Sequence, residues 1–475
     1  MKIRKMHLVN FRCFQESEVD FESQLTVFVS NNGAGKTAVL DAVAYGLARY
    51  IRGLPGIRSP ALKFSDIRIT NNEVQADGCV LGWTAQDAET LIIWASIKKS
   101  DRADPVKLKK SSEQLVKNLV EAQPTGPKRI VTMADYVSDI MERHRADAAF
   151  ELPVVVFYGT DRVVRKEIQR RRGFKKVFTR FDALQDSMFA ETHFKKAFEW
   201  FNAIEDEERR DRIRLKDLGY EDPRVAAVRL AVERLLPDKH FNLRTEAKPL
   251  RLVIDRKLAD GPVKTFRISQ LSDGVRVILG MAMDLSRRMI EANPHLEPTQ
   301  ALQSSAIVLI DEIDLHLHPS WQQKVLDGFM SAFPNAQFIV STHSPQVLSA
   351  VPADSLRVIK FEETSESSHP PESELSSAQL IIRDEYSFLK GAQAQYILET
   401  IFAVPARAPH LESTKNLERY KNMISEGTWD TPEGQELREK IDAWGAGFEA
   451  ELGKLDIEIR LKRHERKKLS KDDKS

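Results

Sequence analysis

Cysteine is nearly absent: the 475 residues hold two, Cys13 and Cys79. Two cysteines make no disulfide framework, which sets aside small stapled secreted folds and points to a reducing cytoplasm. Long apolar runs are missing too. No stretch nears the ~20 apolar residues a bilayer span needs, so no membrane-spanning class is expected. The opening MKIRKMHLVNFRCF has basic residues but no apolar signal core, so no secretory export is expected. Net charge is equally scarce, +1 from 71 Lys+Arg against 70 Asp+Glu. That argues against a wholly basic nucleic-acid binder but says nothing about local patches.

What charge there is sits unevenly. The run from Arg162 to Arg180 carries nine Lys/Arg against Glu167 alone, a density suited to neutralising phosphates. Within it Arg165, Lys166, Arg170, Arg171, Arg172, Lys175 and Lys176 are candidates for contact with DNA or RNA, against the plainer reading of a solvated helix face. The end, from Arg460, is again basic and reads equally well as a frayed helix end. Between them FEETSESSHPPESELSS (361–377) reads as an acidic linker.

The chain alternates apolar strands with helices. LTVFVS runs into a glycine-rich loop and then a helix with Val39, Ala42, Val43 and Leu47 at helical spacing. Later, AIVLID and AQFIVS are short buried strands with a helix between them. LRLVID and VKTFRI form a hairpin, and Phe194, Phe198, Phe201 and Ile204 make one helical stripe that reads as core. This pattern predicts an α/β fold with its sheet assembled from two distant parts, 1–50 and 265–360. Residues 51–264 are then an insertion of strands and helices with the basic segment at 162–180. Residues 378–475 form a helical tail after the linker.

Four segments carry chemistry. In Ser30-Asn31-Asn32-Gly33-Ala34-Gly35-Lys36-Thr37 the glycines let backbone N–H groups curl around phosphates. Lys36 reaches the β/γ oxygens and the Thr37 hydroxyl binds Mg²⁺, while Ser30 stands where a first glycine is usual. Asp311 and Glu312 follow a buried strand, at the sheet edge where ligands bind. Asp311 is the Mg²⁺ carboxylate, and Glu312 orients and polarises water as general base. His343, after the neighbouring strand, suits a sensor of the γ-phosphate. Ser272 and Gly274 open an apolar helix and form an anion-binding nest, with an ordinary N-cap as the plainer alternative. His316 and His318 have the spacing of a metal pair, yet no third ligand is near and a turn before Pro319 explains them better.

In this order the four segments resemble the ABC-type ATPases of the SMC, RecF and OLD-like group. The resemblance implies an ABC-type head, a mixed sheet with flanking helices, that binds ATP and Mg²⁺. It places Arg12 of LVNFRCF near the phosphates and implies a head-to-tail dimer, or a higher even-numbered oligomer. There Ser272 and Gly274 act in trans on the partner's ATP, and Asp314 begins the loop that communicates across the dimer. An SMC arm would need sustained heptads and an OLD nuclease a DxD cluster; neither is evident. ELPVVVFYGTDR, SDGVRVILGMAMDL, EIDLHLHPSWQ and AQYILETIFAVPARAP are similar to the PtuA-type ATPases of Septu and retron antiphage systems. That narrower resemblance implies a regulatory role beside an HNH nuclease, PtuB, with a reverse transcriptase and its RNA/DNA in retron systems; turnover of the ATPase is expected to be slow or suppressed. The tail would then dock those partners. A RecF-like repair ATPase and a scaffold that binds ATP without hydrolysing it stay open, the second because of Ser30.

Overall fold

The computed structural model describes residues 1–30, 35–69, 78–86, 90–98, 130–162, 180–189, 194–236, 240–247, 250–257, 261–362, 379–383, 389–445 and 449–472. Asn31, Asn32, Gly33, Ala34, the basic candidates from Arg165 to Lys176 and linker residues 363–377 lie outside the described residues. The chain divides into two units, Met1–Ile397 and Leu398–Ser475.

The first unit opens with an antiparallel pair, β1 (Lys2–Phe11) and β2 (Phe14–Asp20), then β3 (Leu25–Val29) and α1 (Lys36–Arg52). β4 (Gly78–Gln86), β5 (Thr90–Lys98) and β6 (Ile130–Thr132) extend the pair to a five-stranded sheet, ordered β2-β1-β4-β5-β6. After α2 (Met133–Arg145) come β7 (Val154–Tyr158), α3 (Lys195–Leu215) and α4 (Pro223–Leu235). The Asp222 side chain caps α4 by accepting from the Arg224 amide at 2.8 Å, with Pro223 at the first helical position. β8 (His240–Ala247), β9 (Leu250–Lys257) and β10 (Val263–Arg267) make a three-stranded antiparallel sheet that contains the expected hairpin.

The rest of the unit builds the central sheet. α5 (Asp273–Ala292) precedes β11 (Ala306–Ile310), α6 (Val325–Ala332), β12 (Ala336–Thr342), β13 (Leu356–Glu362) and β14 (Gln379–Arg383). Six strands pair in the order β14-β13-β3-β12-β11-β7, all parallel except β14. β3, β7, β11 and β12 are buried along their whole length, which explains their unbroken apolar sequences: parallel strands are covered on both faces. The fold is thus the expected mixed α/β head with flanking helices.

Two of its strands come from outside the expected parts of the sheet. β7 lies in the stretch 51–264 yet pairs with β11 in register Val154↔Ala306 to Tyr158↔Ile310. Five successive apolar residues satisfy a two-sided position and would be wasted on an exposed insertion. β14 lies in the expected tail and closes the other edge against β13. Phe194, Phe198, Phe201 and Ile204 are buried, as their stripe predicts.

In the second unit α7 (Glu412–Glu426), α8 (Pro432–Gly445) and α9 (Ala450–Asp472) surround their own core of Leu417, Tyr420, Ile424, Trp429, Ile441 and Leu452. Among the described residues no helix is long and apolar enough to cross a membrane.

Candidate nucleotide site

The C-terminal edge of a parallel sheet is where its loops gather, and here β3, β12, β11 and β7 are consecutive neighbours. The loops that follow them bring Lys36, His343, Glu312 and Arg162 to one edge.

α1 begins from Gly35, whose φ of 95° lies in the left-handed region. A Cβ there would also stand 2.7 Å from Cys13 Sγ, so both backbone conformation and space call for glycine. Lys36 is buried, and its Nζ donates to the Ser30 carbonyl at 3.2 Å and the Ser30 hydroxyl at 3.0 Å. Burial lowers the Lys36 ammonium to a pKa of about 8, against the opposing pull of Glu312, Asp311 and Asp314. A helix start with a buried ammonium favours an anion. Ser30 therefore supplies the lysine with a resting partner.

The next contacts join distant parts of the chain. Thr37 Oγ1 donates to Asp311 Oδ2 at 3.0 Å, and the Ser341 hydroxyl donates to Asp311 Oδ1. The same Ser341 oxygen accepts the Glu312 amide at 2.8 Å, and the Asp311 amide is bound to the Tyr158 carbonyl at 2.9 Å. Glu312 has a φ of 48°, a conformation rare for a residue with a side chain. Thr342 and the His343 amide both donate to Asp314 Oδ1, at 2.5 and 3.4 Å. Burial and the nearby Lys36 charge hold the His343 imidazole below its ordinary pKa, so it is largely neutral at pH 7.

Two members of this cluster escape a reading of the sequence. Ser341 sits inside a wholly buried strand, where a hydroxyl has no periodic signature; its position beside the acidic pair is the only clue. Arg162 heads the basic run yet is 1% exposed. Its Nη1 donates to the carbonyls of Gly159 (2.9 Å) and Asp311, and its Nη2 to that of Glu312. Burial pulls its pKa down to about 10, against Asp311, Asp314 and Glu312. It is a buried clamp, distinct in setting from a phosphate-binding surface.

Arg12 is held between two carboxylates. Its Nη1 donates to Asp41 at 2.6 Å and its Nε to Asp66 at 2.9 Å, which fastens it between α1 and the loop before β4. Although burial opposes it, those two carboxylates raise the guanidinium pKa and keep it charged.

Ser272 is the exposed N-cap residue of α5, and its side chain makes no capping hydrogen bond. A Cβ on Gly274 would lie 2.5 Å from the His316 carbonyl oxygen, so α5 begins in direct contact with the loop after Glu312. Ser272, Gly274, Arg256, His316, His318 and Trp321 line a cavity of about 340 Å³. His318 serves the turn predicted for it, accepting the Ser320 amide at 3.3 Å. Among the described residues no three His, Cys, Asp or Glu side chains form a metal cage. The Thr37 hydroxyl and Asp311 carboxylate fit Mg²⁺, which takes one or two protein oxygens and completes its shell with water and substrate phosphates.

Comparison with known proteins finds relatives named as ATPases. A model described as "AAA domain" matches residues 5–219, and one described as "AAA domain, putative AbiEii toxin, Type IV TA system" matches 150–349. Retron Ec83 probable ATPase of Escherichia coli is 24% identical, over 97% of this chain and 86% of the relative. Septu protein PtuA of Bacillus mycoides is 39% identical, over 17% of this chain and 10% of the relative. The chain is thus similar to ATPases of the retron and Septu PtuA type. Among solved structures, the SMC head bound to the C-terminal winged-helix domain of ScpA is similar over 81% of this chain and 98% of that one, at 17% identity and a TM-score of 0.42. In this chain the start of α1, through Thr37, meets the acidic end of β11.

Proposed function

We propose that this chain hydrolyses ATP slowly at a site shared by two copies, and that occupancy of the site switches a partner nuclease in an antiphage defence complex. The observation that carries the reading is the junction of Thr37, Asp311, Ser341 and Glu312 at one sheet edge. Asn31, Asn32, Gly33, Ala34 and Gly35 would wrap the phosphates with their amides, and Lys36 would exchange Ser30 for β/γ oxygens. Thr37 and Asp311 would hold Mg²⁺, which neutralises phosphate charge when bound. Glu312 takes the proton of the attacking water, and neutral His343 donates a hydrogen bond to the γ-phosphate. Arg12, released from one of its carboxylates, would approach the same phosphates.

From the facing copy, Ser272 and the amide of Gly274 would close on the γ-phosphate in a head-to-tail dimer. ATP biases that dimer only by binding the closed form better than the open one. The partners that fit the retron and Septu relatives are an HNH nuclease and, for a retron system, a reverse transcriptase with its RNA/DNA. The basic run Arg165–Lys176 would contact nucleic acid, and the second unit would dock protein partners in the cytoplasm.

Glu312→Gln tests the chemistry. Turnover should fall by roughly 10²–10⁴ while ATP stays bound, the range a general base contributes. Normal turnover in that variant would sink the assignment of Glu312. Wild-type turnover no greater than that of Lys36→Ala would make the chain an ATP-binding scaffold. Strong stimulation by DNA, with no nuclease co-purifying, would favour a RecF-like repair role.

A further inference from the structure

Glu312 is the one acidic residue of the site with a left-handed backbone, at φ 48°. Such a conformation is strained and persists only where surrounding contacts over-determine it. Those contacts lie on both sides of the residue. Its amide is taken by Ser341 Oγ at 2.8 Å, and its carbonyl by Nη2 of Arg162. Nη1 of the same guanidinium takes the Asp311 carbonyl and the Gly159 carbonyl, so one side chain ties the end of β7 to both peptides after β11. Its planar fork suits this task; a lysine would place a single point of charge among three carbonyls. Arg162 itself is 1% exposed, which leaves it no room to turn toward solvent.

We propose that Arg162 is a positioning residue for hydrolysis, fixing the peptide of Glu312 so that its carboxylate meets the attacking water. This rests on the reading of Glu312 as the general base. Arg162 acts through the backbone it holds.

The test uses the full chain as wild type, Arg162→Met and Arg162→Lys, with Lys36→Ala as the blank. Turnover is measured across ATP concentration, and hydrogen exchange is followed in the peptide covering 306–316. Arg162→Met should lower kcat by about 10²-fold, the scale of a displacement near 1 Å, with KM for ATP nearly unchanged. Exchange in 306–316 should quicken, and Arg162→Lys should restore part of kcat. Where Arg162→Met does not fold, Arg162→Lys carries the same measurements, expected between wild type and blank. Wild-type kcat and unchanged exchange would overturn the proposal, as would equal loss of ATP binding and turnover in a folded variant. If wild-type turnover does not exceed the blank, the ATPase reading fails, and the exchange of 306–316 alone then decides whether Arg162 holds the Glu312 peptide.

Discussion

Thr37 Oγ1 and Asp311 Oδ2 lie 3.0 Å apart although 274 residues separate them in the chain. The contact joins the first turn of α1 to the end of β11, and parallel β12 between β3 and β11 sets the spacing. Asp311 is buried, and its second oxygen is occupied by Ser341. The hydroxyl and carboxylate are therefore already in place for a cation that a bound phosphate would bring.

Asp311→Asn keeps the shape but removes the charge, and its amide oxygen can accept only one of the two hydroxyls that Asp311 accepts. Turnover should fall by more than the roughly 10- to 100-fold that loss of an outer-shell partner costs a metal site. Raising Mg²⁺ concentration should recover part of it, because the defect lies in metal affinity. A Mg²⁺ titration of turnover for wild type and variant decides the matter; an unchanged Mg²⁺ requirement would remove Asp311 from the metal's ligands.

Gly274 offers a test of the shared site. A Cβ there meets the His316 backbone carbonyl at 2.5 Å, which cannot swing away as a side chain would. Gly274→Ala should cost about 1–3 kcal/mol of stability through overpacking and should displace the start of α5. ATP binding through the chain's own Lys36 should survive, while turnover is lost. Mixed with Lys36→Ala chains, it should recover up to about a quarter of wild-type turnover, since random pairing of a symmetric dimer leaves one intact composite site in half the dimers. No recovery on mixing would argue that each copy works alone.

The residues that announce themselves in the sequence are those where an unbroken apolar run ends in chemistry. LTVFV before Lys36, AIVLI before Asp311 and AQFIV before His343 all mark strands that a parallel sheet covers on both faces. Parallel order then brings their ends together. Ser341 and Arg162 lack such a mark. A serine within a buried strand looks like any small residue, and an arginine heading a basic run looks solvated until long-range pairing buries it. The place of β7 in the sheet rests on its register with β11, 152 residues on from Val154 to Ala306, and no local pattern encodes that. Arg12 shows the reverse limit: the motif around it is legible, but Asp41 and Asp66, which hold it here, come from elsewhere in the chain.

Lys36 carries a pH signature. Burial sets its pKa at about 8 in the free protein, against an ordinary 10.5. Phosphates bind the ammonium and not the amine, so ATP affinity should be level below pH 8. Above it the affinity should weaken by about tenfold for each pH unit, until the pKa of the bound form is reached. Stability runs the other way. The folded pKa lies below the unfolded one, so between about 8 and 10.5 the unfolded chain holds the proton longer. In that window this group makes the nucleotide-free protein more stable as pH rises. Equilibrium binding of a fluorescent ATP analogue, beside denaturant melts of the free protein from pH 7 to 10, measures both trends. Lys36→Arg stays charged throughout and should flatten both curves. A wild-type affinity that is level from pH 7.5 to 9.5 would mean that the lysine's charge is not what holds the phosphates.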